Sequence, residues 1–440
     1  MTPSSATAAE KSWPRWRLRF LLNKSRKSEE IECLQRASEV NFVPMEAVGE
    51  NGGLDLSRVR EREDIGNGYT LFFEDDVLVA KITPCFENGK GAIAKNLVNG
   101  IGFGTTELYV LDPTPKLEPR FLFYLTISRD FRVPGEASMK GAAGQKRVPD
   151  EFLQNFELSL PPVEIQRLIA DYLDRETARI DALVAEKERM LALLEEKRAA
   201  LISRAVTRGL DPDAHLKPSG APWFDETPQD WSVERLKWVI ESVTSGVSVN
   251  ASDQPVEEGD FGVLKTSAVS GGRFIPDENK SVWDTEFERL ACPVTANTVI
   301  MSRMNTPGLV GESGYVEFDY PNLFLPDRLW KISFDEERVH VPFLALLLAS
   351  KEARLSLSSM ATGTSPSMKN LAIEEMSSLL VSIPPIQQQK AIHEVVSRQD
   401  AIIYKLKNEL STSLNRLKER RVALITASVT GQIPIEEMTA

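Results

Sequence analysis

Two stretches of this chain place apolar residues on four-, three- and seven-residue steps, the a and d spacing of a coiled coil. In the first, the stripe runs through Ile169, Leu173, Ile180, Leu183, Met190, Leu194 and Leu201, interrupted by Glu176, Lys187 and Lys197. The second runs through Ile392, Val396, Ile403, Leu406, Leu410, Leu417 and Leu424. Each stretch opens on a proline pair, Pro161-Pro162 or Pro384-Pro385. A helix starts readily there, because proline pre-sets φ and the first turn needs no donor from it. The first stretch closes at Arg208-Gly209 and the second at Gly431 with Pro434 behind it, both ordinary stop signals. The pattern predicts long helices over 161–208 and 384–431. About 40 helical residues at ~1.5 Å each make a rod of roughly 60 Å.

These two stretches are copies of one another. Residues 161–207 align with 384–430 at a constant offset of 223, and 18 of the 47 pairs are identical without a gap. Identical pairs include Gln166/Gln389, Ile169/Ile392, Arg175/Arg398, Ile180/Ile403, Leu194/Leu417 and Arg198/Arg421. The segments before each helix are related more faintly. A β-rich stretch with a glycine-bearing turn, 77–94, faces 298–316. A helical segment, 117–131, faces 341–355. A small polar loop, KGAAGQKRVPD (140–150), faces ATGTSPSMKN (361–370), and the strands FELSLPP and LLVSIPP lead into the proline pairs. The chain therefore reads as an α+β protein built as a pseudo-twofold tandem repeat. Each half is an α+β globule of about 150 residues followed by a long helical rod. The globules have diverged and the rods have not, which suits two modules reading different targets on a common frame.

Composition adds limits. At 440 residues, with ~150 per domain as a prior, two or three units are expected. No apolar run approaches ~18 residues and the N-terminus lacks an apolar signal core, so a cytoplasmic protein is expected. The three cysteines, Cys33, Cys85 and Cys292, are too far apart for a CxxC site or a disulfide framework. The net charge of −12 argues against a protein that simply coats DNA. Residues 243–380 carry 11 basic against 19 acidic side chains, whereas 1–160 carry 21 against 23. Any grip on DNA then comes from local clusters, or from a partner that neutralises phosphates.

Enzyme chemistry is hard to place. His215, His340 and His393 show no zinc-ligand or HExxH spacing, and a solvated or packing role is expected of His215 and His393. No GxxxxGK[ST] phosphate loop is present. Gly100-Ile-Gly102-Phe-Gly104 lacks the strand-turn-helix context of a dinucleotide site and reads as a β-turn. The Asn/Asp-Pro-Pro-Tyr/Phe motif of amino-methyltransferases is absent; Asn305-Thr-Pro307-Gly308 is the nearest run and lacks the aromatic.

The order and spacing of several segments resemble the specificity (S) subunits of type I restriction-modification enzymes over nearly the whole chain. The residues that carry this are SLPPVEIQRLIADYLD and SIPPIQQQKAIHEVV opening the helices, AVTRGLDPD and SVTGQIPIEE closing them, and the linker HLKPSGAPWFDETPQDWSVERLKWV (215–239). The usual Pro-Pro-x-x-Glu-Gln run stands here as Pro-Pro-Val-Glu-Ile-Gln and Pro-Pro-Ile-Gln-Gln-Gln. The resemblance implies a first target-recognition domain over 11–160, a central helix over 161–208, a linker and second target-recognition domain over 209–383, and a C-terminal helix over 384–431. It implies a non-catalytic subunit in which each globule reads one half of a bipartite double-stranded DNA site. The two similar globules would be separated by the two long helices packed as an antiparallel coiled coil. These helices would set the spacer and dock two methyltransferase (modification) subunits, with two restriction (translocase-nuclease) subunits able to join. No cofactor is expected on this chain; S-adenosylmethionine, ATP and Mg²⁺ belong to the partners. The alternative is a structural coiled-coil scaffold with no DNA role.

Glycine-rich polar loops let backbone approach phosphate and carry side chains that read base edges. In the first half the candidates for DNA contact are Lys81, Asn88, Lys90, Lys140, Gln145, Lys146 and Arg147. In the second they are Arg303, Asn305, Thr362, Thr364, Ser365, Ser367 and Lys369. The basic N-terminal patch of Arg15, Arg17, Arg19, Lys24, Arg26 and Lys27 is read as a solvated strand edge or tail.

Overall fold

A computed structural model describes residues 13–24, 37–66, 68–142, 144–365 and 368–439. Cys33, Arg26, Lys27 and the candidate Ser367 lie outside these residues. The chain divides into two compact units, Met1–Glu188 with Ser411–Ala440, and Arg189–Leu410. Each unit contains one globule and a piece of each long helix.

The two globules share one topology. In the first, a four-stranded sheet has the order Val59–Glu61, Glu39–Val43, Ile101–Gly104, Thr70–Phe73. Its inner pair is parallel and both outer pairings are antiparallel. In the second, the order is Asn279–Ser281, Gly262–Leu264, Tyr320–Phe324, Pro293–Val294, again with a parallel inner pair. An antiparallel sheet accompanies each: Gly91–Ile93, Val77–Ala80 and Leu108–Leu111 in the first. In the second, Ser313–Val316, Thr298–Ser302 and Leu329–Phe334 pair in the same way, and Ile240–Ser245 is added at the edge. Sheet order thus survives where sequence identity has faded, because burial of alternate side chains constrains register more than residue identity does.

Each globule is closed by a two-stranded clasp next to its proline pair. Arg15–Arg17 pairs with Glu157–Ser159, and Ser232–Arg235 pairs with Leu380–Ile383. The linker is not featureless: Leu216–Ala221 and Phe224–Pro228 form a hairpin. The helical segment expected over 117–131 is two helices, Pro119–Ile127 and Arg129–Ser138, and that over 341–355 is Val341–Ala349 and Lys351–Met360. The break falls on a serine in extended conformation in both, Ser128 and Ser350, whose hydroxyl donates to the carbonyl three residues back at 2.7 Å. A serine that bonds locally in this way competes with helix propagation.

The long helices are continuous over Val163–Arg208 and Ile386–Val429. Gly209 and Gly431, at φ 75° and 76°, take the left-handed conformation that terminates them. In the first unit Asp181 pairs with Arg421 and Glu188 with Lys418; in the second, Glu195 pairs with Lys407 and Arg198 with Asp400. As one helix number rises the other falls, so the helices run antiparallel in each unit. Ile169, Leu173, Ile425 and Val429 join the core of the first globule, and Ile202, Val206, Ile392 and Val396 that of the second. The predicted seam is only partly closed. Leu183, Met190 and Leu406 are 45%, 44% and 42% exposed, because the globules cover the helices toward the ends and only a second helix covers these positions.

The glycine run at 100–104 is also corrected. Gly100 is a turn residue at φ 68°, but Ile101–Gly104 is an interior strand rather than a turn. Its glycines admit the fully buried Phe72: a Cβ on Gly102 would lie 2.2 Å from that ring.

Candidate nucleic-acid interface

In the first globule, the end of strand Val77–Ala80 and the loop 140–147 are laced together. Lys81 N–H donates to the Glu107 carbonyl, and Val148 N–H donates to the Lys81 carbonyl, both at 2.9 Å. The Lys146 carbonyl accepts from Thr83 N–H and its hydroxyl at 2.9 and 3.1 Å. Lys140 and Arg147 close the loop with reciprocal backbone bonds of 3.0 and 2.9 Å, and Gln145 N–H donates to the Ala142 carbonyl. Gly141 and Gly144 supply positive φ, as the tight turn requires.

The structure sorts the candidate side chains. Lys140, Gln145 and Lys146 are exposed and have no side-chain partner among the described residues. Lys81 holds its ammonium 5.2 Å from the centre of the Tyr109 ring. Arg147 grips Glu107 in a bidentate fork at 2.8 and 2.9 Å. That hydrogen-bonded guanidinium holds the Glu107 carboxyl below the usual carboxylate range. Asn88 donates to Glu50 at 3.1 Å, and Lys90 donates to the Met45 carbonyl at 3.1 Å. Arg147, Asn88 and Lys90 therefore brace the loops, and Lys140, Gln145 and Lys146 are the side chains left facing solvent.

In the second globule the candidates converge on one small sheet. Met304–Asn305 pairs with Met368–Asn370, which pairs with Thr362–Ser365, setting Asn305 opposite Lys369 and Thr362 opposite Asn370. Thr364 and Ser365 lie on that outer strand. Thr362 is exposed. Lys369 donates to the Ser358 carbonyl at 3.4 Å. The Asn305 side chain accepts from Thr306 N–H at 2.9 Å and donates to the Ser302 hydroxyl at 3.3 Å. Arg303 packs its guanidinium 5.7 Å from the Trp330 ring centre, with its Nε buried and unbonded. Both sets thus hang on equivalent places: the exit of an inner strand and the hairpin after the paired helices.

Sequence reasoning missed the groups that hold these globules to the helices. Gln166 is fully buried; its Oε1 accepts from Glu118 N–H at 2.8 Å and its Nε2 donates to the Lys116 and Pro161 carbonyls at 2.9 and 2.8 Å. Gln389, equally buried, accepts from His340 N–H at 2.7 Å and donates to the Arg338 and Pro384 carbonyls at 3.2 and 2.8 Å. The identity of this pair in the repeat was the available signal. A second surprise is that His340 Nε2 and His393 Nδ1 lie 3.2 Å apart. Burial lowers both imidazoles below their ordinary value, and their mutual charge adds to this at His340. Among the described residues no group of three or more His, Cys, Asp or Glu could hold a metal ion, and no helix is long and apolar enough to cross a membrane.

The family model described as type I restriction modification DNA specificity domain matches the chain twice, over residues 27–191 and 228–416. The chain belongs to this family. Among curated relatives, the specificity subunit of the type I restriction enzyme EcoEI from Escherichia coli is 24% identical over 460 residues, spanning 87% of this chain and 77% of its own. The MjaVIII specificity subunit from Methanocaldococcus jannaschii is 23% identical, spanning 73% and 72%. The crystal structure of the HsdS subunit from Thermoanaerobacter tengcongensis superposes with a TM-score of 0.52 at 16% identity, covering 98% of this chain and 99% of that one. A chain from a structure of a type I R-M system, solved for its complex assembly and conformational transition, reaches a TM-score of 0.71 at 16% identity, covering 97% and 100%. These likenesses establish the fold. The specificity family is defined by DNA recognition, and a scaffold without a DNA role finds no support in it.

Proposed function

We propose that this specificity subunit reads a bipartite double-stranded DNA site, one half with each globule, and leaves all chemistry to its partners. The observation that carries this is the duplication itself. Gln166 and Gln389 dock equivalent helices by the same three hydrogen bonds, whereas the polar loops differ in side chains, KGAAGQKRVPD being basic and ATGTSPSMKN rich in serine and threonine. A common frame with divergent loops is what two readers of different half-sites require. In the first half, Lys140, Gln145 and Lys146 face the DNA while Lys81, Asn88, Lys90 and Arg147 shape the loops around them. In the second, Arg303, Asn305, Thr362, Thr364, Ser365 and Lys369 are the contacts, with Ser367, outside the described residues, as a further candidate. Basic, amide and hydroxyl side chains of these kinds position on phosphates and read base edges.

The paired helices act as the spacer ruler, much as half-site separation mirrors protein geometry in symmetric DNA-binding dimers. The pseudo-twofold repeat suits two identical methyltransferase subunits, with two restriction subunits joining that assembly in the cytoplasm. S-adenosylmethionine serves the modification subunits, and ATP with Mg²⁺ the restriction subunits. The partners also supply much of the positive charge that a chain of net charge −12 lacks.

The test is reconstitution with radiolabelled S-adenosylmethionine. The purified chain alone is expected to transfer no methyl group and to hydrolyse neither ATP nor DNA. With its modification subunit it is expected to direct adenine methylation within a two-part motif. Methyl transfer by the single chain, or methylation of a continuous motif, would overturn the reading.

A further inference from the structure

We propose that Arg198 and Arg421 are positioning residues that latch each DNA-reading globule to the long helix that is not its own continuation. The proposal rests on the two-reader function above and assigns which residues fix each reader's pose. The two arginines occupy the same place in the repeat. Arg421 donates from Nε to Asp181 Oδ1 at 2.9 Å, tying the C-terminal helix to the central one. Its other nitrogens reach the first globule, donating to the Asn51 side-chain oxygen at 3.0 Å and to the Asn51 carbonyl at 3.4 Å. Arg198 does the same in the second unit. Its Nε pairs with Asp400, and its Nη1 donates to the Gly271 carbonyl at 3.3 Å. Asp400 is held from the other side by Arg273 of the same turn at 2.6 Å.

The turns that receive the arginines are equivalent. Each contains a glycine pair at positive φ, Gly52-Gly53 and Gly271-Gly272. A Cβ on Gly52 would lie 3.0 Å from Phe123, and one on Gly272 would lie 2.8 Å from Ala349. Phe123 and Ala349 belong to Pro119–Ile127 and Val341–Ala349, the equivalent helices of the two globules. Each turn is therefore set closely against its globule's helix. The acid has slid by one helical turn between the copies. Thr177 stands where Asp400 stands in the repeat, and Tyr404 stands where Asp181 does. What both copies retain is the arginine and its hold on the turn.

Each turn is in turn bonded to a candidate reading loop. In the first globule, Glu50 accepts from Asn88, and Gly91 N–H donates to the Gly49 carbonyl at 3.1 Å. In the second, Gly272 N–H donates to the buried Glu312 at 3.3 Å, and Arg354 bridges Glu312 and the Gly308 carbonyl, both at 2.7 Å. The loops reached, 84–91 and 305–312, follow equivalent strands. The other helix already packs Ile425 and Val429 into the first core and Ile202 and Val206 into the second, but apolar packing is non-directional and leaves the orientation of the turn to be fixed by hydrogen bonds. The latch supplies that directional hold, and it couples helix position to the loops 84–91 and 305–312 that shape the reading face.

The experiment uses the full chain with its modification subunit, acting on libraries of sites randomised in one half at a time and in spacer length. Methylated products are sequenced. For Arg421→Ala we expect discrimination against mismatches to fall about tenfold in the half read by the first globule, within the range one mismatched base pair commands. Spacer preference broadens and the other half is unchanged. Arg198→Ala gives the mirror result. Loss of stability alone would lower activity without choosing a half. Asn51→Ala removes part of the turn side of the latch, keeps the Arg421–Asp181 pair, and is expected to relax the same half if Arg421→Ala fails to fold. Relaxation of both halves equally, or unchanged profiles in folded Arg421→Ala and Asn51→Ala, overturns the latch while the two-reader function stands. A wild-type complex that methylates no bipartite site overturns both.

Discussion

Replacing Gln166 by methionine tests how the repeat holds its globules. The substitution keeps nearly the same volume, so little cavity forms, but it removes one acceptor and both donors of a side chain with no solvent exposure. Glu118 N–H and the carbonyls of Lys116 and Pro161 then lose the partners they hold at 2.8–2.9 Å. A net hydrogen bond contributes about 1 kcal/mol, and a buried polar group left unpaired costs about 1–3 kcal/mol. Three bonds give a loss of about 3–5 kcal/mol, reduced where water reaches the carbonyls. For a unit of this size each kcal/mol moves the melting temperature by about 2–4 °C, so the unit holding Gln166 should melt about 10 °C lower. Gln389→Met should produce a similar loss in the other unit. The assay is differential scanning calorimetry of the full chain, with hydrogen exchange at the Glu118 and His340 amides identifying the unit affected. If Gln166→Met melts within about 2 °C of the wild type with unchanged exchange at Glu118, the three-bond clasp does not hold the globule.

Three further outcomes follow from the geometry. Both His340 and His393 have folded-state values below their ordinary 6.5, so the unfolded chain binds protons first as pH falls. Stability should be full above pH ~6.5 and decline as pH drops through the lower folded values, with Lys390 and Glu317 modulating it; His393→Asn should flatten this decline in melts from pH ~5 to ~8, and an equally steep curve would exclude the pair as its source. Removing Lys140 and Lys146 together should shrink the slope of log Kobs against log salt by about 1.8, two phosphate contacts' worth, and an unchanged slope would place these lysines away from DNA. Seven residues inserted beside Lys187 and seven beside Leu410 keep heptad register and add about 10.5 Å to each helix, which predicts a preferred spacer longer by up to about three base pairs in a library assay. An unchanged spacer in a folded, partner-binding variant would refute the ruler.

The helices, the duplication and the family were legible in the chain because periodicity and a gapless offset survive divergence. The Gln166/Gln389 pair was visible as an identity, though its triple bonding required the folded neighbours at 116–118 and 338–340. The arginine latches could not be seen. Asp181 and Asp400 sit one turn apart in repeat register, so alignment pairs each with a non-acid. The candidate DNA residues were legible only as loops. Nothing local to Arg147 or Asn88 reveals that Glu107 and Glu50 occupy them, since those partners lie 40 and 38 residues away. Leu183, Met190 and Leu406 carried the right spacing for a buried seam, yet spacing does not report how many neighbours cover it.

The central claim is that two independent readers share one frame, and exchanging one reader tests it most directly. Residues 211–383 would be replaced by the matching segment of another family member. The chimera would be expressed with its modification subunit, and the methylated motif read by whole-genome methylation sequencing. The account predicts that one half of the motif changes to that of the donor while the other half stays as it was. A motif altered in both halves together, or in neither, would contradict it.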